Sequence, residues 1–218
     1  MGVAALAVSA TCHAQVYLGR EAPRKGSVEV SSGGGYQGGK DLDDPTATLT
    51  RNPTTGSSPF ELFQSDASLG RAFGVQARVG YYLSSAISIE GGVQVARPKL
   101  EVKLSGDFES APDTVATESI NSYLFTGSLL YHFRARKALK PFVIAGAGQV
   151  RDLHAGDELV ETGLEYHAGG GLKSWFGRGR RKLGVRADLL VSIRDGGVGA
   201  EDGRRIVPTA GVSLAYVF

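Results

Sequence analysis

The chain has 218 residues, 31 of them glycine, with 42% hydrophobic residues and a mean hydropathy of −0.08. That length suits one domain with a full core, and no stretch of about 18 consecutive apolar residues is present to cross a membrane as a helix. Lys and Arg total 24 against 22 Asp and Glu, a formal charge of +2 spread along the chain, so no nucleic-acid partner is expected.

Val3 to Ala10 is a short apolar run, and Cys12 and Ala14 occupy the small-residue positions of a signal-peptidase site. Residues 1–14 therefore read as a signal peptide, cleaved after Ala14, with the mature domain over 15–218. No Lys or Arg precedes Arg20, which points to a truncated leader and a translation start upstream of Met1. The lone cysteine would leave with this segment, and the mature domain would carry no disulfide. The competing reading is an apolar N-terminal strand.

Val28 to Tyr36 reads as the first strand. After it, Gln37 to Leu69 has the polar, turn-rich composition of a long mobile loop. Period-2 alternation then dominates. Phe73, Val75, Ala77, Val79, Tyr81 and Leu83 form one apolar stripe, and Ser84-Ser85-Ala86 links it tightly to a second through Ile87, Ile89, Val93 and Val95. Past Arg97-Pro98 the apolar positions change from odd to even (Leu100, Val102, Leu104), as one extra residue in a β-bulge would produce, with the strand running on. Ser122 to Phe133, Pro141 to Arg151, Leu164 to Phe176, Leu183 to Arg194 and a final strand ending at Phe218 bring the total to eight. No segment has a 3.6-residue period.

Short links (84–86, 134–140, 177–182) alternate strictly with longer ones (37–69, 105–119, 152–161, 195–205), which puts the long links at one end and both termini at the other. An even-stranded antiparallel meander does this, and eight strands can close into a barrel that leaves no free edge. The fold expected is all-β, an eight-stranded antiparallel up-and-down barrel.

Two features bear on whether lipid or water is the solvent of the apolar stripe. Opposite it, at mid-strand, stand charges of both signs: Arg78, Glu90, Glu165, Lys173, Arg186 and Asp188. An Arg or Lys on a lipid face near the midplane costs about 2–4 kcal/mol, so in a membrane barrel these residues are expected to point inward as an ion-pair network in the lumen; the solvated outer face of a soluble barrel would hold them equally well, and the aromatic residues decide between the two. Aromatic residues gather at the strand ends beside the short links: Tyr81, Tyr82, Tyr131, Phe133, Phe142, Trp175, Phe176, Tyr216 and Phe218. Tyr36, Phe73, Tyr123 and Phe125 lie at the opposite ends. Such girdles mark membrane–water boundaries.

The last strand, with Leu214, Tyr216 and Phe218 alternating to an aromatic end, and the stretches 140–148 and 183–189 resemble small bacterial outer-membrane barrels of the OmpA-like and OprF-like kind. The resemblance covers most of 27–218. It implies transmembrane strands, location in the bacterial outer membrane, outer-membrane lipid as a partner, and recognition of Leu214, Tyr216 and Phe218 by the barrel-assembly machinery. A monomer is expected, with a surface ligand met through the long loops.

Catalytic, cofactor and metal motifs are not found. His13, His132, His154 and His167 have no metal-ligand spacing, and His154, which shares a link with Asp152 and Asp157, has no serine partner for nucleophilic chemistry. The clusters Gly33-Gly34-Gly35, Gly146-Ala147-Gly148 and Gly169-Gly170-Gly171 lack the strand–loop–helix setting of a phosphate loop. The function expected is structural or surface-interactive without enzyme activity, with a narrow porin as the variant within that class. The alternatives are a soluble lipocalin-like carrier of an apolar ligand and a lipid-modifying enzyme of the outer membrane.

Overall fold

A computed structural model describes residues 23–42, 46–49, 60–105, 112–133, 139–154, 159–176, 182–197 and 204–218. Residues 1–14, read above as a signal peptide, lie outside them. Among the described residues thirteen strands follow one another: β1 (Val28–Gln37), β2 (Lys40–Asp41), β3 (Thr46–Leu49), β4 (Phe60–Leu69), β5 (Ala72–Tyr82), β6 (Ile87–Ala96), β7 (Lys99–Ser105), β8 (Thr114–Ser119), β9 (Asn121–His132), β10 (Leu139–Leu153), β11 (Val160–Phe176), β12 (Lys182–Gly196) and β13 (Arg205–Val217).

Eight of them close a barrel in the order β1-β13-β12-β11-β10-β9-β6-β5, every neighbour antiparallel. The seam is sealed by β1 against β13, where Val28 and Phe218 exchange both backbone hydrogen bonds at 3.1 Å. Closure pairs the backbone groups an open sheet would leave bare, which is what a wall in hydrocarbon requires.

The two faces of the wall are inverted relative to a water-soluble barrel. Phe73 is 79% and Leu189 70% exposed on the outside, whereas Arg186, at 0%, lies inside. A soluble carrier would hide the first two and solvate the third; this distribution is that of a chain dissolved in lipid. The lipocalin-like alternative does not fit it.

The long-loop reading of 37–69 is corrected: β2, β3 and β4 lie within it. They join β7 and β8 in a second sheet, ordered β2-β4-β7-β8 with β3 also paired to β4. Likewise the 105–119 link contains β8. The strand sequence explains the arrangement. Barrel neighbours β1, β5, β6 and β9 continue, after short breaks at 38–39, 70–71, 97–98 and 120, as β2, β4, β7 and β8 in the same order. The second sheet is one side of the barrel wall carried outward.

The bulge after Arg97-Pro98 is corrected too. Inward–outward parity passes unbroken through this point: Val95, Arg97, Lys99 and Glu101 share one face, Ala96, Pro98 and Leu100 the other. What changes is the solvent. Below the break the outer face meets lipid and is apolar; above it the outer face meets water and is charged, while Leu100 turns in to pack with Leu42, Leu69, Ala67 and Ile120. The switch from odd to even is the membrane boundary written into the strand.

Candidate functional site

The barrel interior gathers most of the buried charge. It falls into three layers. Nearest the termini, Lys173 Nζ donates to both carboxylate oxygens of Glu29 at 2.8 Å, and Tyr82 Oη donates to Glu29 Oε2 at 2.6 Å. His132 stacks on Tyr82 with ring centroids 5.2 Å apart, and its Nε2 lies 2.8 Å from Ser88 Oγ. The Lys173 ammonium also sits 5.3 Å from the centroid of the Phe142 ring.

At mid-height, four side chains form a closed cycle. Arg186 reaches Glu90 at 2.6 Å and Asp188 at 3.0 Å; Arg78 grips Asp188 through two 3.0 Å contacts and approaches Glu90 at 3.7 Å. Two guanidinium groups against two carboxylates leave no net charge. The ring of Phe142 packs under Arg186, 4.9 Å from its guanidinium carbon. Lys173 and Arg186 are direct cross-strand partners, a like-charge pairing that would repel. The carboxylates of Glu29 and Glu90, taken separately by the two cations, offset it.

In the third layer, Arg194 donates to Glu165 at 2.6 Å and to Gln37 at 3.2 Å. His167 contacts Ser128 Oγ at 2.8 Å through Nε2 and lies 3.6 Å from Glu165 through Nδ1. Glycine at 146 makes the Ser128 contact possible: a Cβ there would lie 2.7 Å from His167 Nε2 and 2.8 Å from Ser128 Oγ. Between this layer and the Arg78–Glu90 pair the free space is about 30 Å³, lined by residues including Gln76, Thr126, Ser128 and His167. That is room for one or two waters and no organic solute.

All six charged residues expected in the lumen lie there, divided between the three layers and not forming one network: Lys173 in the first, Arg78, Glu90, Arg186 and Asp188 in the second, Glu165 in the third. Sequence reasoning missed Glu29, Tyr82 and Arg194 as their partners. The signal was available in parity, since Glu29 occupies an inward position of β1 and Arg194 shares the parity of Arg186 and Asp188 on β12.

The girdle beside the short links needs correction at three positions. Tyr81, Tyr131, Phe133 and Tyr216 face outward with Phe218, and Phe176 is half-buried. Phe142 and Trp175, 2% and 1% exposed, point inward, as does Tyr82. The reason lies across the strand. Phe142 pairs with Gly171 and Trp175 with Gly184, and each ring covers the bare backbone of its glycine; a Cβ on Gly171 would lie 2.7 Å from Phe142 Cζ. At the other end Tyr36 and Phe73 touch, with centroids 5.3 Å apart. Leu214, Tyr216 and Phe218 all face outward on the closing strand and its end.

His154, just beyond β10, has Glu118 of β8 at 3.3 Å from Nδ1 and Glu161 of β11 at 3.6 Å from Nε2, and so ties the outer sheet to the barrel rim. Asp157 lies outside the described residues. Among the described residues no three His, Cys, Asp or Glu side chains gather as metal ligands.

The model of the outer membrane protein beta-barrel domain family matches residues 2–218. No curated protein matches the chain. Among solved structures, the outer membrane protein OprG from Pseudomonas aeruginosa is similar at 11% identity and a TM-score of 0.52, over 90% of this chain and 98% of that one. Ail, the attachment invasion locus protein of Yersinia pestis, aligns at 14% identity and a TM-score of 0.45, over 89% and 99% of the two chains. The N-terminal β-barrel domain of Pseudomonas aeruginosa OprF aligns at 16% and 0.44, over 89% and 99%. The likeness to OprG carries the fold; none of the three carries an activity.

Proposed function

Since this chain belongs to the outer membrane protein beta-barrel domain family and resides in the bacterial outer membrane, we propose that it is a plugged barrel that holds a rigid interaction surface outside the cell. The observation that carries this reading is the second sheet. A barrel that served only as a pore would have no need to extend half its wall beyond the membrane, whereas a protein that presents a surface gains a platform whose strands are the membrane strands themselves.

The platform is braced on both flanks. Gly70 donates to Lys99 across the break between membrane and outer sheet at 2.7 Å, and Ile120 donates to Pro98 at 3.0 Å, so the hydrogen-bond ladder crosses the boundary. His154 then fastens β8 to the rim through Glu118. With the short links and termini on the periplasmic side, this sheet faces the exterior. The interior favours a structural role over conduction, because the Arg78–Asp188–Arg186–Glu90 cycle spans the lumen, and the cavity beside it among the described residues is water-sized. Outward-facing Leu214, Tyr216 and Phe218 are the feature the barrel-assembly machinery would read.

The test joins two measurements. A thiol introduced as Val115→Cys on β8 should react with a membrane-impermeant maleimide on intact cells, and purified protein in planar bilayers should give no unitary conductance. Steady ion-selective conductance that disappears on substitution of Arg186 would replace this reading with that of a narrow porin.

A further inference from the structure

Where the wall leaves the membrane, its outer face carries a row of cations. Arg71 precedes β5, Arg97 and Lys99 flank Pro98 between β6 and β7, and Arg151 lies near the end of β10; all four are exposed. Their registers place them together. Gly74 pairs with Ala96, so Phe73 and Arg71 rise beside Arg97 and Lys99. Val95 pairs with Tyr123, and Tyr123 with Arg151, so the cations step down across β9 onto β10, Arg151 standing two residues below Arg97 in register. With neighbouring strands about 4.8 Å apart, the row from β5 to β10 is about 14 Å wide.

None of the four has an ion pair or side-chain hydrogen bond among the described residues. This contrasts with the interior, where Arg78, Lys173, Arg186 and Arg194 are each matched with a carboxylate. Glu101 shares the outer face just beyond Lys99 and makes no ion pair with it. Aromatic rings stand among the cations: Phe73, which touches Tyr36, lies across from Arg97, and Tyr123 is the strand partner of Arg151, as rings do at the level where lipid headgroups begin. An unmatched row of guanidinium and ammonium groups at headgroup height suits phosphate, which Arg can bind through two parallel hydrogen bonds. Its width exceeds the reach of a single phosphodiester and matches a headgroup with phosphates at separate positions.

We propose that Arg71, Arg97, Lys99 and Arg151 form a clamp on the barrel's outer wall for a multiply phosphorylated glycolipid of the outer leaflet. The clamp rests on the orientation proposed above, with the outer sheet outside the cell. It gives that reading a partner: the wall supporting the platform is fastened to the leaflet it emerges from, so the sheet's height above the surface is held by charge as well as by hydrophobic matching.

The experiment uses the full barrel in phosphatidylcholine vesicles doped with diphosphorylated lipid A, with its dephosphorylated form, or with phosphatidylglycerol. Lipid retained per protein after mild detergent extraction is then measured. The wild type should retain the diphosphorylated lipid at least about tenfold over either of the others, and the quadruple variant Arg71→Gln/Arg97→Gln/Lys99→Gln/Arg151→Gln should lose that preference. A Lys25→Gln/Lys103→Gln variant, which removes exposed cations elsewhere, should keep it. Heat-dependent gel mobility verifies that each variant is folded. Retention unchanged in the quadruple variant, or equal retention of phosphatidylglycerol, overturns the clamp. Surface labelling of Val115→Cys separates the two readings: failure to label on intact cells overturns the orientation and the outer-leaflet assignment together, whereas labelled cells with unselective retention overturn the clamp alone.

Discussion

Arg186→Met tests whether the mid-height cycle holds the barrel shut. The substitution keeps much of the apolar stem and removes hydrogen bonds to Glu90 at 2.6 Å and Asp188 at 3.0 Å. Charge-assisted hydrogen bonds contribute about 1.5–3 kcal/mol each, and breaking a buried ion pair costs about 3–5 kcal/mol. The two carboxylates do not suffer equally. Asp188 retains two 3.0 Å contacts with Arg78, whereas Glu90 keeps only the looser 3.7 Å approach. Glu90 therefore bears most of the penalty, and the expected loss is about 3 kcal/mol, at the low end of that range. Glu90→Gln alone leaves Arg186 with Asp188 and should cost about 2 kcal/mol. In the double variant no buried charge is orphaned, so its cost should fall below the sum of the two by about 2 kcal/mol. Urea unfolding in lipid vesicles measures all three, with emission from Trp175, the one tryptophan of the chain, as the signal. Additivity within about 0.5 kcal/mol, or a loss below about 1 kcal/mol for Arg186→Met, would refute the cycle as a stabilising unit.

Two further substitutions probe the wall. Leu189 on β12 and Val115 on β8 are 70% and 61% exposed, so a contact-based argument would treat them alike. If one faces lipid and the other water, Leu189→Arg should cost about 2–4 kcal/mol and Val115→Arg should stay within about 0.5 kcal/mol, measured by the same unfolding assay; equal losses would mean that the boundary is misplaced. Gly184→Ala puts a Cβ 2.5 Å from Trp175 Cε3, and the ring must move off the strand it covers. A loss of about 1–3 kcal/mol together with a shifted Trp175 emission is expected, and an unchanged spectrum would show that the ring does not lie on that glycine.

The barrel was legible in the sequence because alternation is a local property. Each strand declares its two faces without reference to its neighbours, and the spacing of links supplies the meander. Register is not local, and the errors lie where it matters. Phe142 shares the parity of Ile144, and Trp175 that of Lys173, so their own strands placed them inside; grouping them by height with Tyr131 and Tyr216 overrode that evidence. Gly171 and Gly184, which make room for the two rings, become visible only when β10, β11 and β12 are paired. The ion pairs divide in the same way. Parity sufficed to send Lys173 and Arg186 inward, but which carboxylate each would meet depends on how β1, β6, β11 and β12 are staggered around the closed barrel, and no window of sequence contains that.

The change of parity at Arg97-Pro98 is the more instructive case. A strand that exchanges its apolar face has two physical causes open to it: an inserted residue that turns the chain over, or a change in what lies outside. Sequence pattern alone favours the first, because alternation is ordinarily read against a single solvent. The structure separates them through Lys99, which stays on the outer face with Val95 and Arg97 while Leu100 turns into a core with Leu69 and Ile120. Hydrophobicity therefore reports position relative to the local medium, not relative to the barrel axis. In a membrane barrel whose strands continue into water, an apolar stripe that changes face without a change of register locates the lipid surface. Here that surface runs through the same short stretch in which Arg97 and Lys99 stand without an ion pair among the described residues, so the feature that marks the height of the wall also marks where the proposed headgroup contact would lie.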